Sequence, residues 1–118
     1  MAVNPIKYLS KDLINKPTPL DVWLQGTIEQ TVGNDILIIS DNFGKVKITK
    51  LESADGVVDT KSTYCCIIGV AVNTKGLPEV QATKFIDLSM QPQMKMSWET
   101  EVQEAQLLIQ GKILPTVK

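Results

Sequence analysis

Five apolar segments of strand length, separated by turn-forming residues, constrain the fold of this chain more than any other feature. In the first, every second residue is apolar or small, which is typical of a strand that buries one face. The second and fourth are apolar almost throughout, which favours strands buried in a core. A slip in the phase of the fifth, near Lys84, indicates a β-bulge. The predicted strands are 22–30, 36–40, 45–49, 63–72 and 79–88.

The order of these strands predicts a small barrel. Turn-forming residues at 33–35 and 41–44 join the first three strands into a meander, and a polar connector at 50–62 leads to the last two. Gly26 and Gly69 fall where sharply coiled strands bend. We therefore expect a mainly β fold, a five-stranded OB-fold barrel followed by a C-terminal α-helix. An SH3-like barrel is the structural alternative.

The predicted barrel, residues 20–90, is preceded by an N-terminal extension, residues 1–19. Apolar residues of this extension recur at helical spacing, which predicts a short amphipathic helix over 5–15. Prolines at 17 and 19 then break any helix. The pattern is compatible both with packing of the extension on the barrel and with a mobile arm.

The C-terminal segment, residues 91–118, changes to helical periodicity. Ser97 is a candidate N-cap and Gly111 a candidate stop signal for an interaction helix, with a tail after it. The helix would carry one apolar stripe made of Trp98, Val102, Ala105, Leu108 and Ile109. This stripe can lie on the mouth of its own barrel or form a seam with a helix of a partner protein. Leu107, on a second side of the helix, favours the partner.

Composition argues against most catalytic and metal-binding chemistry. The 118 residues carry a net charge of -1 and contain no His, and all 12 basic residues are Lys. Without His the chain lacks the side chain that titrates near neutral pH and the commonest metal ligand. Without Arg it lacks a bidentate clamp for phosphate or guanine. We therefore expect no enzymatic activity, no cofactor and no metal.

The two cysteines and the absence of a targeting pattern bear on location. Cys65 and Cys66 are adjacent inside an apolar run, which favours two buried thiols over a disulfide and fits a reducing compartment. The first residues show no signal-peptide pattern, and no apolar run approaches the roughly 20 residues that span a bilayer. We expect a soluble intracellular protein without a membrane partner.

One set of residues is a candidate for binding nucleic acid. Sites for single strands combine aromatic stacking platforms with a basic groove. Aromatic residues make only 5% of the chain, and the one candidate aromatic–basic patch is formed by Trp23, Phe43, Lys45 and Lys47. An autonomous single-stranded nucleic-acid-binding protein is therefore the alternative function, with weak and salt-sensitive binding expected.

Four stretches carry a family resemblance. LDVWLQG at 20–26 is followed by IGV at 68–70, QATKFIDLS at 81–89 and SWETEV at 97–102. In this order they resemble the family of RecQ-mediated genome instability protein 2, while the N-terminal extension and the end of the chain depart from it. The resemblance implies an OB-fold, non-enzymatic subunit of a nuclear complex that contains topoisomerase III alpha and a Bloom-type RecQ helicase.

The resemblance also implies partners. The chain would pair with the C-terminal OB domain of RecQ-mediated genome instability protein 1 and, through it, reach the helicase and topoisomerase III alpha. That complex dissolves double Holliday junctions without crossover and so supports genome stability. Trp98 and Val102 would lie in the helix that meets the sister subunit, and Lys84 on a surface that receives a peptide from a Fanconi anaemia helicase. Contact with DNA would be weak or indirect.

Overall fold

The computed structural model describes residues 6–33, 35–54 and 63–109, without the side chains of 108 and 109. Two short 3-10 helices accompany the strands, at Ser10–Leu13 and Leu51–Ser53. The α-helix, α1, spans Pro92–Ile109. The strands are β1 (Ile6–Lys7), β2 (Leu20–Val32), β3 (Ile36–Ser40), β4 (Lys45–Thr49), β5 (Tyr64–Asn73) and β6 (Glu79–Asp87).

Strands β2 to β6 close into a barrel with the OB-fold order. The hydrogen-bonded order is β1-β2-β3-β4-β6-β5, and β2 also pairs with β5, which closes the circle. The β4–β6 and β1–β2 pairings are parallel, and the others are antiparallel. Thr83 of β6 is skipped between the pairs Ile68–Lys84 and Gly69–Ala82, so the bulge predicted near Lys84 is confirmed. The mainly β, five-stranded barrel with a C-terminal helix is thus confirmed.

The barrel interior is filled by apolar side chains from all five strands. The fully buried ones include Val22, Leu37, Ile39, Ile48, Ile67 and Val80. Burial of each such side chain contributes about 1.5–3 kcal/mol to folding. β3 is less uniformly buried than its continuous apolar run suggested, because Ile36 and Ile38 face out of the barrel and are only half-buried.

Gly69 allows β5 and β6 to approach closely beside the bulge. A Cβ at this position would lie 2.2 Å from the backbone oxygen of Gln81, closer than any side chain tolerates. Gly26 is similarly restricted, since its Cβ would lie 2.9 Å from the backbone oxygen of Ser40. Both glycines therefore permit close strand packing, in keeping with their predicted place at bends.

The described part of the N-terminal extension packs on the barrel but does not form the predicted helix over 5–15. Residues 6 and 7 form strand β1, and one turn of 3-10 helix follows. The physical reason is pairing: β1 lies parallel to β2, and the backbone N–H of Tyr8 donates to the oxygen of Trp23 at 3.1 Å. Tyr8, directly after β1, and Leu13, at the end of the 3-10 helix, are both buried in the barrel core.

Helix α1 begins six residues earlier than an N-cap at Ser97 predicts. Pro92 is its first residue, and proline suits that position because its fixed φ and missing N–H cost nothing there. Ser97 is therefore not an N-cap; its hydroxyl donates to the oxygen of Gln93 within the helix, at 3.0 Å. The predicted stop at Gly111 lies outside the described residues.

Candidate protein-interaction surface

The outer wall of β2 and β5 is the surface on which helix α1 lies. Side chains alternate along a strand, so those that follow the core residues point outward. Trp23 and Gln25 of β2 pair in register with Ile68 and Cys66 of β5, and all four face this wall. The Tyr64 hydroxyl, on the same face, donates to the Gln25 side chain at 2.8 Å. The wall thus combines aromatic and apolar surface with a satisfied polar pair.

The predicted stripe of α1 is packed against this wall. Trp98 is 3% exposed and Val102 0% exposed, in a cluster with Leu9 and Trp23. The rings of Trp23 and Trp98 are 6.5 Å apart at their centroids. The stripe therefore packs on its own chain, although on the outer wall and not on the barrel mouth.

This packing decides which stripe residues a partner can touch. Trp98 and Val102 are covered within the chain, so in this arrangement they are closed to direct contact with a partner. Ala105 is half-buried. The side chains of Leu108 and Ile109 lie outside the described part of the chain. Accessible surface on α1 lies instead on the side opposite Trp98, where Met96 is 84% exposed.

Lys7, which sequence reasoning missed, joins the N-terminal segment, the barrel and the helix. Its Nζ lies 4.9 Å from the ring centroid of Trp23, 5.9 Å from that of Trp98, and 4.0 Å from the carboxylate of Glu101. Its backbone oxygen accepts a hydrogen bond from the side chain of Gln106 at 2.8 Å. No local pattern signals this role, because its partners come from distant parts of the chain.

Two hollows flank the exposed side of α1. The first, of about 360 Å³, lies between the start of the helix and the β3–β4 turn, with Phe43 and Met96 among its lining residues. The second, of about 300 Å³, lies between the later turns of the helix and the first 3-10 helix, beside Leu107. Leu9 lines both. Among the described residues, the buried indole N–H of Trp98 lacks a hydrogen-bond partner.

The four candidate nucleic-acid residues do not form one platform. Trp23 lies on the wall under α1, whereas Phe43 is in the β3–β4 turn and 42% exposed, with the ammonium of Lys11 4.1 Å from its ring. Lys45 and Lys47 follow on β4. The aromatic residue predicted to stack beside Phe43 is thus used in packing the helix.

Lys84 lies on the same outer wall as Trp23. Trp23 pairs with Ile68, and Ile68 pairs with Lys84, so the three residues stand in one row across β2, β5 and β6. Lys84 is exposed next to the bulge. The structure therefore brings Lys84 into the neighbourhood of the helix-covered wall, which strand positions alone did not predict.

The two cysteines lie on opposite faces of β5 and are both buried and free. Burial raises the pKa of the Cys65 thiol far above its ordinary value. Burial also raises the pKa of Cys66, to about 11, although the N–H of Trp23 donates to its sulfur and acts in the opposite direction. Both thiols are protonated at neutral pH and behave as small apolar side chains.

Comparison with known proteins identifies the family. The family model of RecQ-mediated genome instability protein 2 matches residues 7–106. The chain belongs to this family. The match begins at Lys7 and so includes part of the N-terminal extension, which the sequence stretches alone had left outside the resemblance. No significant match was found among curated proteins, and no helix in the described ranges is long and apolar enough to cross a bilayer.

Solved structures share the fold of this member of the family at low sequence identity. The telomere capping protein Ten1 from S. pombe superposes with a TM-score of 0.68 at 13% identity, covering 87% of this chain and 98% of Ten1. A chain of the S. pombe Stn1–Ten1 complex gives 0.57 at 15%, covering 85% and 96%. Replication protein A from U. maydis bound to single-stranded DNA gives 0.52 at 16%, covering 89% and 98%. These likenesses establish the OB-fold.

Proposed function

We propose that this chain is a non-enzymatic, nuclear subunit that pairs with the C-terminal OB domain of RecQ-mediated genome instability protein 1. Through that pairing it would stabilise the complex of RecQ helicase and topoisomerase III alpha, and so support dissolution of double Holliday junctions and suppression of crossovers. The observation that carries this proposal is membership of the family over residues 7–106. A solved complex of two proteins, Stn1–Ten1, includes a chain of the same fold, which supports pairing as a use of such a barrel.

The exposed side of α1 is the surface that we assign to the partner. Met96 and Leu107 lie three helical turns apart, on the side opposite Trp98, with Thr100 and Gln103 between them. The two hollows open along this side and offer space for the partner's apolar side chains.

Lys84 would serve a different ligand, the peptide of a Fanconi anaemia helicase. Its ammonium is exposed on the wall that also holds Trp23 and Ile68, so an acidic group and an apolar side chain of one peptide can be bound together. Lys84→Glu should therefore weaken peptide binding without affecting the pairing of the two OB-fold subunits.

Co-expression with the C-terminal OB domain of the sister subunit tests the pairing. Size exclusion with light scattering should give a one-to-one species with the wild-type chain, and none with Met96→Glu combined with Leu107→Glu. Val32→Glu is the matched control, since Val32 is an exposed apolar residue at the far end of β2. Separate elution of the wild-type proteins, or equal loss of pairing in the control, would refute the proposal.

Single-stranded nucleic-acid binding is the second candidate function. The exposed ring of Phe43, with Lys11 beside it and Lys45 on the adjoining strand, is the observation in its favour. Fluorescence titration with oligonucleotides at low and moderate salt separates the two functions. Tight binding that persists at moderate salt and is lost in Phe43→Ala would favour this candidate; weak binding that is independent of Phe43 would eliminate it.

A further inference from the structure

The N-terminal segment, residues 6–13, bridges helix α1 and the barrel. On the barrel side, β1 pairs with β2, and the N–H of Tyr8 donates to the oxygen of Trp23. On the helix side, Gln106 donates to the oxygen of Lys7 and Leu9 packs with Trp98. The helix therefore rests on the barrel partly through this segment.

The ammonium of Lys7 stands at the centre of this bridge. It lies within 6 Å of the ring centroids of Trp23 from β2 and Trp98 from α1, at 4.9 and 5.9 Å, and 4.0 Å from Glu101. Its side chain is 30% exposed, so most of the side-chain surface is covered by the surrounding residues. The attraction between a cation and an aromatic ring is stronger when water is excluded from the pair, and here two rings contact one ammonium.

Docking of α1 depends on few other contacts. An isolated helix of 18 residues is marginal in water, so its persistence depends on packing. Among its described side chains only Trp98 and Val102 are buried, and Met94 packs partly buried on the same wall. The contacts of Lys7 are therefore a substantial share of what holds the helix in place.

We propose that Lys7 is a positioning residue that holds α1 on the outer wall and so presents the exposed side of the helix to the partner. Neutralising its charge would release the helix while leaving the barrel folded. The effect on pairing rests on the proposed function: a partner that binds only the docked helix has its apparent affinity reduced by the docked fraction. The effect on the helix itself does not depend on a partner.

Three variants test the helix part of the proposal in the full-length chain. Lys7→Gln removes the charge and Lys7→Arg keeps it. Lys11→Gln is the matched control, because Lys11 belongs to the same segment but its ammonium lies over Phe43 and not over either tryptophan. Hydrogen exchange should show about a tenfold loss of protection at the α1 amides in Lys7→Gln. Protection should be close to the wild-type level in both Lys7→Arg and Lys11→Gln. The chain's two tryptophans both contact Lys7, so emission should shift to the red in Lys7→Gln alone.

Two results would overturn the proposal. One is wild-type protection and emission in Lys7→Gln. The other is equal loss of protection in β5 and α1, which would make Lys7 a contributor to global stability. Titration with the sister OB domain should then show weaker pairing for Lys7→Gln, by a factor equal to the ratio of the two docked fractions, and wild-type pairing for Lys7→Arg. If the wild-type chain does not pair at all, the proposed function fails, whereas the exchange and fluorescence results still decide the role of Lys7.

Discussion

The barrel interior and the outer wall under helix α1 are both buried, but they differ in the types of side chain they contain and in the segments that supply them. The interior is a continuous cluster of mainly aliphatic side chains from all five barrel strands, completed by Phe85 and, from the N-terminal segment, by Tyr8 and Leu13. The wall cluster joins two tryptophans, a tyrosine, a cysteine and a lysine from the N-terminal segment, the barrel and the helix. Adjacent residues of β5 belong to the two regions, since Cys65 lies in the interior and Cys66 on the wall.

The interior contacts hold the whole barrel together, whereas the wall contacts hold only helix α1 in place. Loss of an interior contact affects every strand, because each barrel strand is paired on both sides. Loss of a wall contact affects first the one element that the wall holds, which is α1. Elements with few buried contacts open most readily, so the helix should be the least stable part of the described chain.

The largest expected effect is an interior truncation. Ile67 is fully buried in the middle of β5, so Ile67→Ala should destabilise the protein by about 2–5 kcal/mol. Urea unfolding should show one transition, with α1 and strand amides losing protection together. Ile14→Ala is the control, since Ile14 is exposed, and should change stability by less than about 0.5 kcal/mol. Selective loss of the helix in Ile67→Ala would contradict the distinction between the two regions.

Alkaline pH should weaken the outer wall through the thiol of Cys66. Folding raises the pKa of Cys66 from 9.0 to about 11, so its contribution is complete below pH 9 and is lost as the pH rises through 11. Full ionisation of this thiol would cost about 2–3 kcal/mol. Urea unfolding of Cys66→Ala between pH 8 and 11 should show a shallower decline than the wild type, and identical slopes would exclude the thiol as the cause.

A charge on the wall should release the helix alone. Val102 is completely buried between α1 and the wall, so Val102→Lys loses about 1.5–3 kcal/mol of apolar burial. Because burial of an unpaired charge is costly, the helix should detach from the wall and expose the lysine to solvent. Hydrogen exchange should show lost protection in α1 with unchanged protection in β5. Gln103→Lys, at the exposed neighbouring position, is the control. Unfolding of the barrel by Val102→Lys would place the stripe within the main core.

The same distinction explains what the sequence predicted and what it did not. Strands follow from the apolar pattern of neighbouring residues, so the five barrel strands, their order and the bulge were predictable. Local signals misplaced the N-terminal helix and the start of α1, because pairing of β1 with β2 overrode a helical spacing and Pro92 preceded the apparent cap at Ser97. The bridge at Lys7 was not predictable, since Lys7, Trp23 and Trp98 meet only after the barrel has closed.

The smallest expected effect concerns the polar joint between the N-terminal segment and the β3–β4 turn. The backbone and hydroxyl of Ser10 both donate to the carboxylate of Asp41, which also accepts from the N–H groups of Phe43 and Gly44. Ser10→Ala removes one hydrogen bond to a charged acceptor and should cost about 1.5 kcal/mol. Loss of this bond should loosen the β3–β4 turn, so exchange should rise at the Phe43 amide. Helix α1 should stay docked, because Asp41 keeps its other three donors. Ser97→Ala is the control and should leave the free energy of unfolding nearly unchanged, because the exposed Ser97 hydroxyl bonds only within the helix. An equal loss of stability in both variants would show that the Ser10–Asp41 hydrogen bond contributes no more than that of an exposed serine.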